Sequence, residues 1–320
     1  MSYVALKAIL PSITQPPSEA TPSYICPLIG DLDMRGASEP PTKTQYKMKL
    51  KDILSPSIRQ VLQPRKQEPP MWQQRQSADS DFCRALVSNG YLTETQMQEA
   101  VSRYHLGCSR DGGVIFWQID TLGQIFDGKI MYYRPDCHRD HERHPQWVSN
   151  RLKHHYLGDD KELIASIPSC HCLFGTHLLS EELIVKSEEF ATALESSVSG
   201  SPVGNSQLYT INSQLRPVAV VEAEKTAVIL SEHYPAYLWL AAGGLFELTA
   251  EKLFPLHHHR IVLFPDTDPD LKAYTHWYEV AHEARRLYGC NVTVSPLLEL
   301  NATPEQKQRK IDLVDYLFKK

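Results

Sequence analysis

Two apolar runs that end abruptly in carboxylates constrain this chain more than any other feature. Val218–Val221 closes on Glu222 within PVAVVEAEKTAVIL, and Ile261–Phe264 closes on Asp266 and Asp268 within RIVLFPDTDPD. Short runs that are apolar at every position, with no alternation, suit strands buried on both faces of a parallel sheet. Such sheets collect ligands beyond the carboxyl ends of their strands, so the two runs should aim their acids into one place.

The text around them alternates in the same sense. Strands are expected at 218–222, 237–241, 260–265 and 291–295, with helices at 224–233, 247–256, 269–288 and 303–318. Alternating units of this size predict a doubly wound parallel α/β sheet with right-handed crossovers. Upstream, Ser80 or Asp81 can cap a helix carrying Phe82, Ala85 and Leu86, and a second helix runs from Thr93 through Tyr104. GVIFWQID and GKIMYY, separated by Thr121-Leu122-Gly123, read as a hairpin of a small antiparallel sheet.

The expected organisation is therefore three-part. Residues 1–78, rich in Pro, Gln and Ser (PPSEATP, SEPPTK, RKQEPPMWQQRQ), form a weakly ordered arm. Residues 79–200 form a small mixed α+β subdomain, the Ser/Gly stretch 196–206 marks the boundary, and 207–320 form the parallel sheet domain. With 42% hydrophobic residues in 320, the chain can bury at least one full core.

Charge excludes little: a net −5 argues against a wholly basic nucleic-acid coat, but a local basic groove remains compatible with it. Seven cysteines, an odd and scattered number, do not make a disulfide framework and point to a reducing compartment. No run approaches the roughly 18 apolar residues of a membrane span, so a cytoplasmic protein without a membrane partner is expected. Cys137, His138, His141, His144, His154, His155, Cys170, His171 and Cys172 invite a zinc reading. Without a CxxC pair their spacing is poor for zinc, and a polar loop is the better reading.

Two carboxylates at neighbouring strand ends repel unless a cation or proton lies between them. Mg²⁺, or Mn²⁺ in its place, suits one or two carboxylates completed by water and phosphate. Asp266 and Asp268 are the candidate metal ligands, with Glu222 a third ligand or a general acid/base. The rival reading is that these acids merely end strands and cap the helices that follow. Lys225, in the first helical turn after Glu222, is placed to meet a phosphate or to form a local ion pair. Gly243-Gly244 allow close backbone approach after the strand YLWLAA, or simply make a turn.

The Glu-ended strand, the Gly-containing turn and the DxD-ended strand together resemble the TOPRIM domain of DnaG-type primases, topoisomerases and some nucleases. YHLGCS, VIFWQIDTLGQIFDGKIMYY and CLFGTHLL resemble, in the same order, segments of the primase catalytic core. IFWQID, GKIM, EAEKTA, LFPD and DLVDYL together are similar to a primase-like TOPRIM family carried on bacterial mobile elements. Ala223 and Pro269 depart from the pattern, and the N-terminal zinc finger of primases is absent.

The resemblance covers roughly residues 80–320. It implies a Mg²⁺-dependent phosphoryl or nucleotidyl transferase, with Glu222 and Lys225 catalytic and Glu222, Asp266 and Asp268 on the metal. It also implies a single-stranded DNA partner held by Lys225, Lys129, Arg134 and Lys153, and helicase or other replication proteins as further partners. Trp117 would be either a stacking platform or a core residue. The alternatives are a TOPRIM nuclease and a non-catalytic nucleic-acid or replisome-binding protein with a decayed site.

Overall fold

Ser80 and Thr93 open the first two helices. In the computed structural model, which describes residues 77–151, 171–180, 182 and 215–318, the Ser80 hydroxyl accepts the Cys83 amide and starts α1 (Asp81–Ser88). Thr93 and Gln96 exchange side-chain and backbone bonds as a capping box at the start of α2 (Glu94–Tyr104). All described residues lie in one compact unit, Leu54–Lys320. Residues 1–76 of the expected arm and the boundary stretch 196–206 lie outside the described residues.

After the helices comes an antiparallel sheet in the order β1 (Gly107–Cys108), β2 (Val114–Ile119), β3 (Ile125–Met131), β4 (Gln146–Trp147). Asp120 shapes the β2–β3 turn by accepting the Leu122 and Gln124 amides, both at 2.8 Å. Trp117 pairs across the strands with Gly128, and a Cβ at Gly128 would meet the indole at 2.7 Å. The missing side chain thus makes room for a fully buried Trp117, which packs with Ile115, Ile119, Ile125, Ile130, Tyr132 and Val148. Trp117 is a core residue and is not available for stacking on a ligand.

The second sheet is wholly parallel, in the order β6 (Leu238–Ala241), β5 (Val218–Val221), β7 (Ile261–Phe264), β8 (Val292–Val294). Every residue of β5, β6 and β7 is buried, as runs without alternation require. The helix α3 (Glu224–His233) connects β5 to β6. The mixed α/β expectation holds in these elements.

Two expected helices are broken. The stretch 247–256 is three short pieces: a 3₁₀ turn at Leu245–Glu247, α4 (Ala250–Leu253), and a second 3₁₀ turn at Phe254–Leu256 that contains Pro255. After α5 (Lys272–Tyr288) and β8, the expected helix 303–318 is also interrupted. The chain forms α6 (Leu297–Asn301), α7 (Pro304–Gln308) and α8 (Leu313–Phe318). The break between α7 and α8 sits at Lys310, whose φ of 54° is left-handed and cannot continue a right-handed helix. Asp312 then restarts the helix by accepting the Asp315 amide at 2.7 Å.

The parallel sheet is tied to α2 and to the segment around Phe174. The Tyr104 hydroxyl donates to the Trp239 carbonyl at 2.8 Å, and its ring stacks on Phe174 at 4.8 Å. Phe174 also bridges Ala241 of β6. Among the described residues, no helix is long and apolar enough to cross a membrane.

Candidate active site at the carboxyl edge of the parallel sheet

The strand order places a topological switch between β5 and β7. The chain leaves β5 for β6 on one side and then crosses to β7 on the other, which opens a crevice at the carboxyl ends of the two strands. Val221 and Phe264 are paired in register. Glu222 is the first residue beyond β5 and Asp266 the second beyond β7, so the crevice receives both acids, as their strand-end positions require.

The two acids share an electrostatic environment. Burial pushes the Glu222 carboxyl up, against a hydrogen bond from the Leu245 amide and the positive charge of Lys129, while Asp312 adds to the upward push. Asp266 is half-buried in solvent terms but deeply set in surrounding protein. It is held well above the carboxylate range, first by desolvation and then by the negative charges of Glu222, Asp312 and Asp315.

Asp312 and Asp315 were not singled out as site residues, although both stand in the DLVDYL signature. Their i, i+3 spacing, with an aspartate that can cap its own helix, is the signal that could have found them. The buried Asp312 accepts the Thr226 hydroxyl at 2.6 Å, which binds the start of α8 to the first turn of α3. Asp315 is raised by burial and by Asp312.

Lys225 is the counter-ion of this group. Burial alone would lower its pKa, but Asp312 and Asp315 more than offset that and hold it above the ordinary lysine value. Its ammonium lies 3.9 Å from Asp312. Of the two roles expected for Lys225, the structure shows the local ion pair, made with Asp312.

Asp268 is committed elsewhere. It is buried, and its two oxygens accept the amides of Asp270 at 2.9 Å, Lys272 at 3.2 Å and Ala273 at 2.8 Å. Burial would raise this carboxyl, but the three amide bonds more than compensate and hold it below the usual range. Asp268 thus fixes the start of α5, the capping role weighed against metal ligation above.

Lys129 is also spent within the fold. Its ammonium meets Glu224 at 3.0 Å and the Gly243 carbonyl at 2.6 Å, with both side chains nearly closed to solvent. This corrects its expected place on nucleic acid: Lys129 joins β3 to the start of α3. Gly243, at φ 92°, makes the turn that presents this carbonyl; a Cβ there would meet Glu224 at 3.2 Å. Gly244 leads directly into the 3₁₀ turn. Arg134 is exposed and pairs with Asp136 at 3.2 Å. Lys153 lies outside the described residues.

Among the described residues, no three His, Cys, Asp or Glu side chains are gathered closely enough to hold a metal ion between them. The acids are therefore an open cluster. Their chemistry still fits Mg²⁺, which takes hard oxygen donors and is commonly held by one or two carboxylates plus water. Glu222 and Asp266 face a shared crevice and repel each other there, which is the condition a cation relieves.

A model of a protein family described as a domain of unknown function, DUF6371, matches residues 80–202 and 197–267, more than half of the chain. The chain belongs to this DUF6371 family. The matched region runs from the start of α1 through β7, so it takes in Glu222 and Asp266 and ends one residue before Asp268. Among curated proteins, none matches the chain.

Proposed function

We propose that the protein is a Mg²⁺-dependent enzyme of nucleic-acid phosphoryl or nucleotidyl transfer, of the TOPRIM primase-like kind, serving mobile-element replication or transfer. The supporting observation is the pair Glu222 and Asp266 at the switch point between β5 and β7. In this reading Glu222 and Asp266 hold the ion. The ion, when bound, supplies positive charge to the oxygens of the transferring phosphoryl group. In the alternative in which Asp266 alone ligates the ion, Glu222 serves as the general acid/base, its carboxyl raised by burial. Lys225 offsets part of the negative charge of Asp312 and Asp315 at the edge of the crevice.

One observation favours a second reading. Because Asp268 is taken up in capping α5, one member of the DxD pair is not offered to a metal, as in a binding protein whose site has decayed. Incubating the protein with labelled single-stranded DNA and nucleotides, with and without Mg²⁺ or Mn²⁺, separates the two. The enzyme reading expects extension or cleavage that needs the ion and is lost in Asp266→Asn. Binding without any product, under every metal condition, would leave only the second reading.

A further inference from the structure

Two side-chain atoms beside Asp127 of β3 are closed from solvent and have no hydrogen-bond partner among the described residues: Oε1 of Gln118 and Nε2 of His171. Folded proteins pair nearly all their buried polar atoms, so an unpaired one marks a place where water, an ion or a ligand completes the site. Asp127 links the two. It is the cross-strand partner of Gln118, so both side chains rise from the same face of the sheet, with Cβ atoms about 4.5–5.5 Å apart. Its Oδ2 lies 3.6 Å from the His171 Nε2.

That separation distinguishes what can lie between the two groups. At 3.6 Å they are too far apart for a direct hydrogen bond. A water bonded to both would hold them about 4.5 Å apart, which is wider than observed. Two ligands about 2.1 Å from one metal ion, at an angle near 120°, are about 3.6 Å apart. The supporting contacts are of the kind that orient metal ligands. The Asp127 Oδ1 accepts the Gly128 amide at 2.7 Å and the Ser149 amide at 3.0 Å, and its Oδ2 accepts the Ser149 hydroxyl. The His171 ring lies flat on Trp147 of β4, with centroids 3.9 Å apart and planes 13° from parallel. The side chains of His171 and Asp127 are 14% and 4% exposed, so both groups are enclosed, as the ligands of a structural ion are.

We infer that His171 and Asp127, completed by the Gln118 side-chain carbonyl, hold a divalent transition-metal ion of the Zn²⁺ kind. Imidazole favours such an ion over Mg²⁺, and carboxylate and amide oxygens complete a mixed nitrogen and oxygen set. The remaining position is left to water. The ion ties β3 to the segment around Phe174, which bridges Ala241 of β6. It uses none of the acids of the Glu222–Asp266 crevice, and it stands whether or not that crevice binds Mg²⁺. The sequence offers His171 for zinc only among poorly spaced cysteines and histidines; its partners come from β2 and β3 instead.

The test is calorimetric titration of Zn²⁺ into the full chain, with excess Mg²⁺ present throughout. His171→Phe keeps a ring to stack on Trp147 and removes the nitrogen ligand. It should lose one tightly bound Zn²⁺ equivalent relative to the parent. Gln118→Leu should weaken that equivalent by at least about 10-fold, the lower end for losing a partner of a metal site. Asp127→Asn should weaken it too; if that variant does not fold, because its amide bonds are disturbed, His171→Phe decides alone. Asp266→Asn should keep the equivalent. Zn²⁺ binding of the same stoichiometry and affinity in the parent and in His171→Phe would overturn the inference. So would loss of the same equivalent in Asp266→Asn, which would place the ion in the acid crevice.

Discussion

Lys129→Met should destabilise the protein by about 3–5 kcal/mol, because it leaves the Glu224 carboxylate buried without its counter-charge. The side chains of Glu224 and Lys129 are only 3% and 11% exposed, so water cannot replace the lost partner. The Gly243 carbonyl loses its donor in the same change. Pairing the substitution with Glu224→Leu should recover most of the loss, since an apolar pair of similar volume avoids the desolvation cost. Equilibrium denaturation of the single and double variants checks this. A single variant within about 1 kcal/mol of the parent, in the range of an exposed pair, would return Lys129 to the surface role that its sequence context suggested.

The second large effect is a stability that moves the wrong way with pH. Asp266, Glu222 and Asp315 all have carboxyls raised in the folded state. A raised carboxyl binds more protons folded than unfolded, so its contribution to stability falls as pH climbs from the ordinary range near 4 toward the folded value. Carboxyls held low, such as Asp268, act in the opposite sense and only below that range. Two histidines, the half-buried His105 and the buried His177, oppose the trend until about pH 6.5. His105 and His177 are lowered to about 3 and about 4, so folding gains from their neutrality as pH rises to the ordinary histidine value. The difference between Asp266→Asn and the parent isolates the acid cluster from both.

In chelator, therefore, Asp266→Asn should be close to the parent in stability near pH 4 and progressively more stable than it at higher pH. Mg²⁺ at neutral pH should raise the melting temperature of the parent and not that of the variant. Melting curves across pH, with chelator or Mg²⁺, decide it. A stability difference that does not change with pH would show that Asp266 is not held against its neighbours' charge.

Much of this was legible in the sequence where local rules decide. The strands β5 and β7 could be found because residues buried on both faces leave an unbroken apolar run, and the acids that end such runs must share an edge if the strands are parallel. The capping Ser80 and Thr93 were legible for the same local reason. What could not be read depends on partners distant in sequence. Lys129 looks like any strand lysine until β3 is seen to face the start of α3, 95 residues on. Asp268 and Asp266 look equivalent in a DxD. Only the path of the chain after Pro269 shows that one carboxylate turns back to the amides of α5 while the other stays in the crevice. The helix break at Lys310 has no Pro or Gly to announce it, and so Asp312 and Asp315 were hidden within a helix expected to run straight through.

The claim that Glu222 and Asp266 form the cation site, with Asp268 serving only as a cap, is tested most directly by titration calorimetry of Mg²⁺ into four proteins. These are the parent, Glu222→Gln, Asp266→Asn and Asp268→Asn. The account predicts that Mg²⁺ binds the parent, that Glu222→Gln and Asp266→Asn each weaken binding strongly by removing a charged oxygen donor, and that Asp268→Asn binds Mg²⁺ like the parent. Loss of Mg²⁺ binding in Asp268→Asn with retention in Asp266→Asn would contradict it.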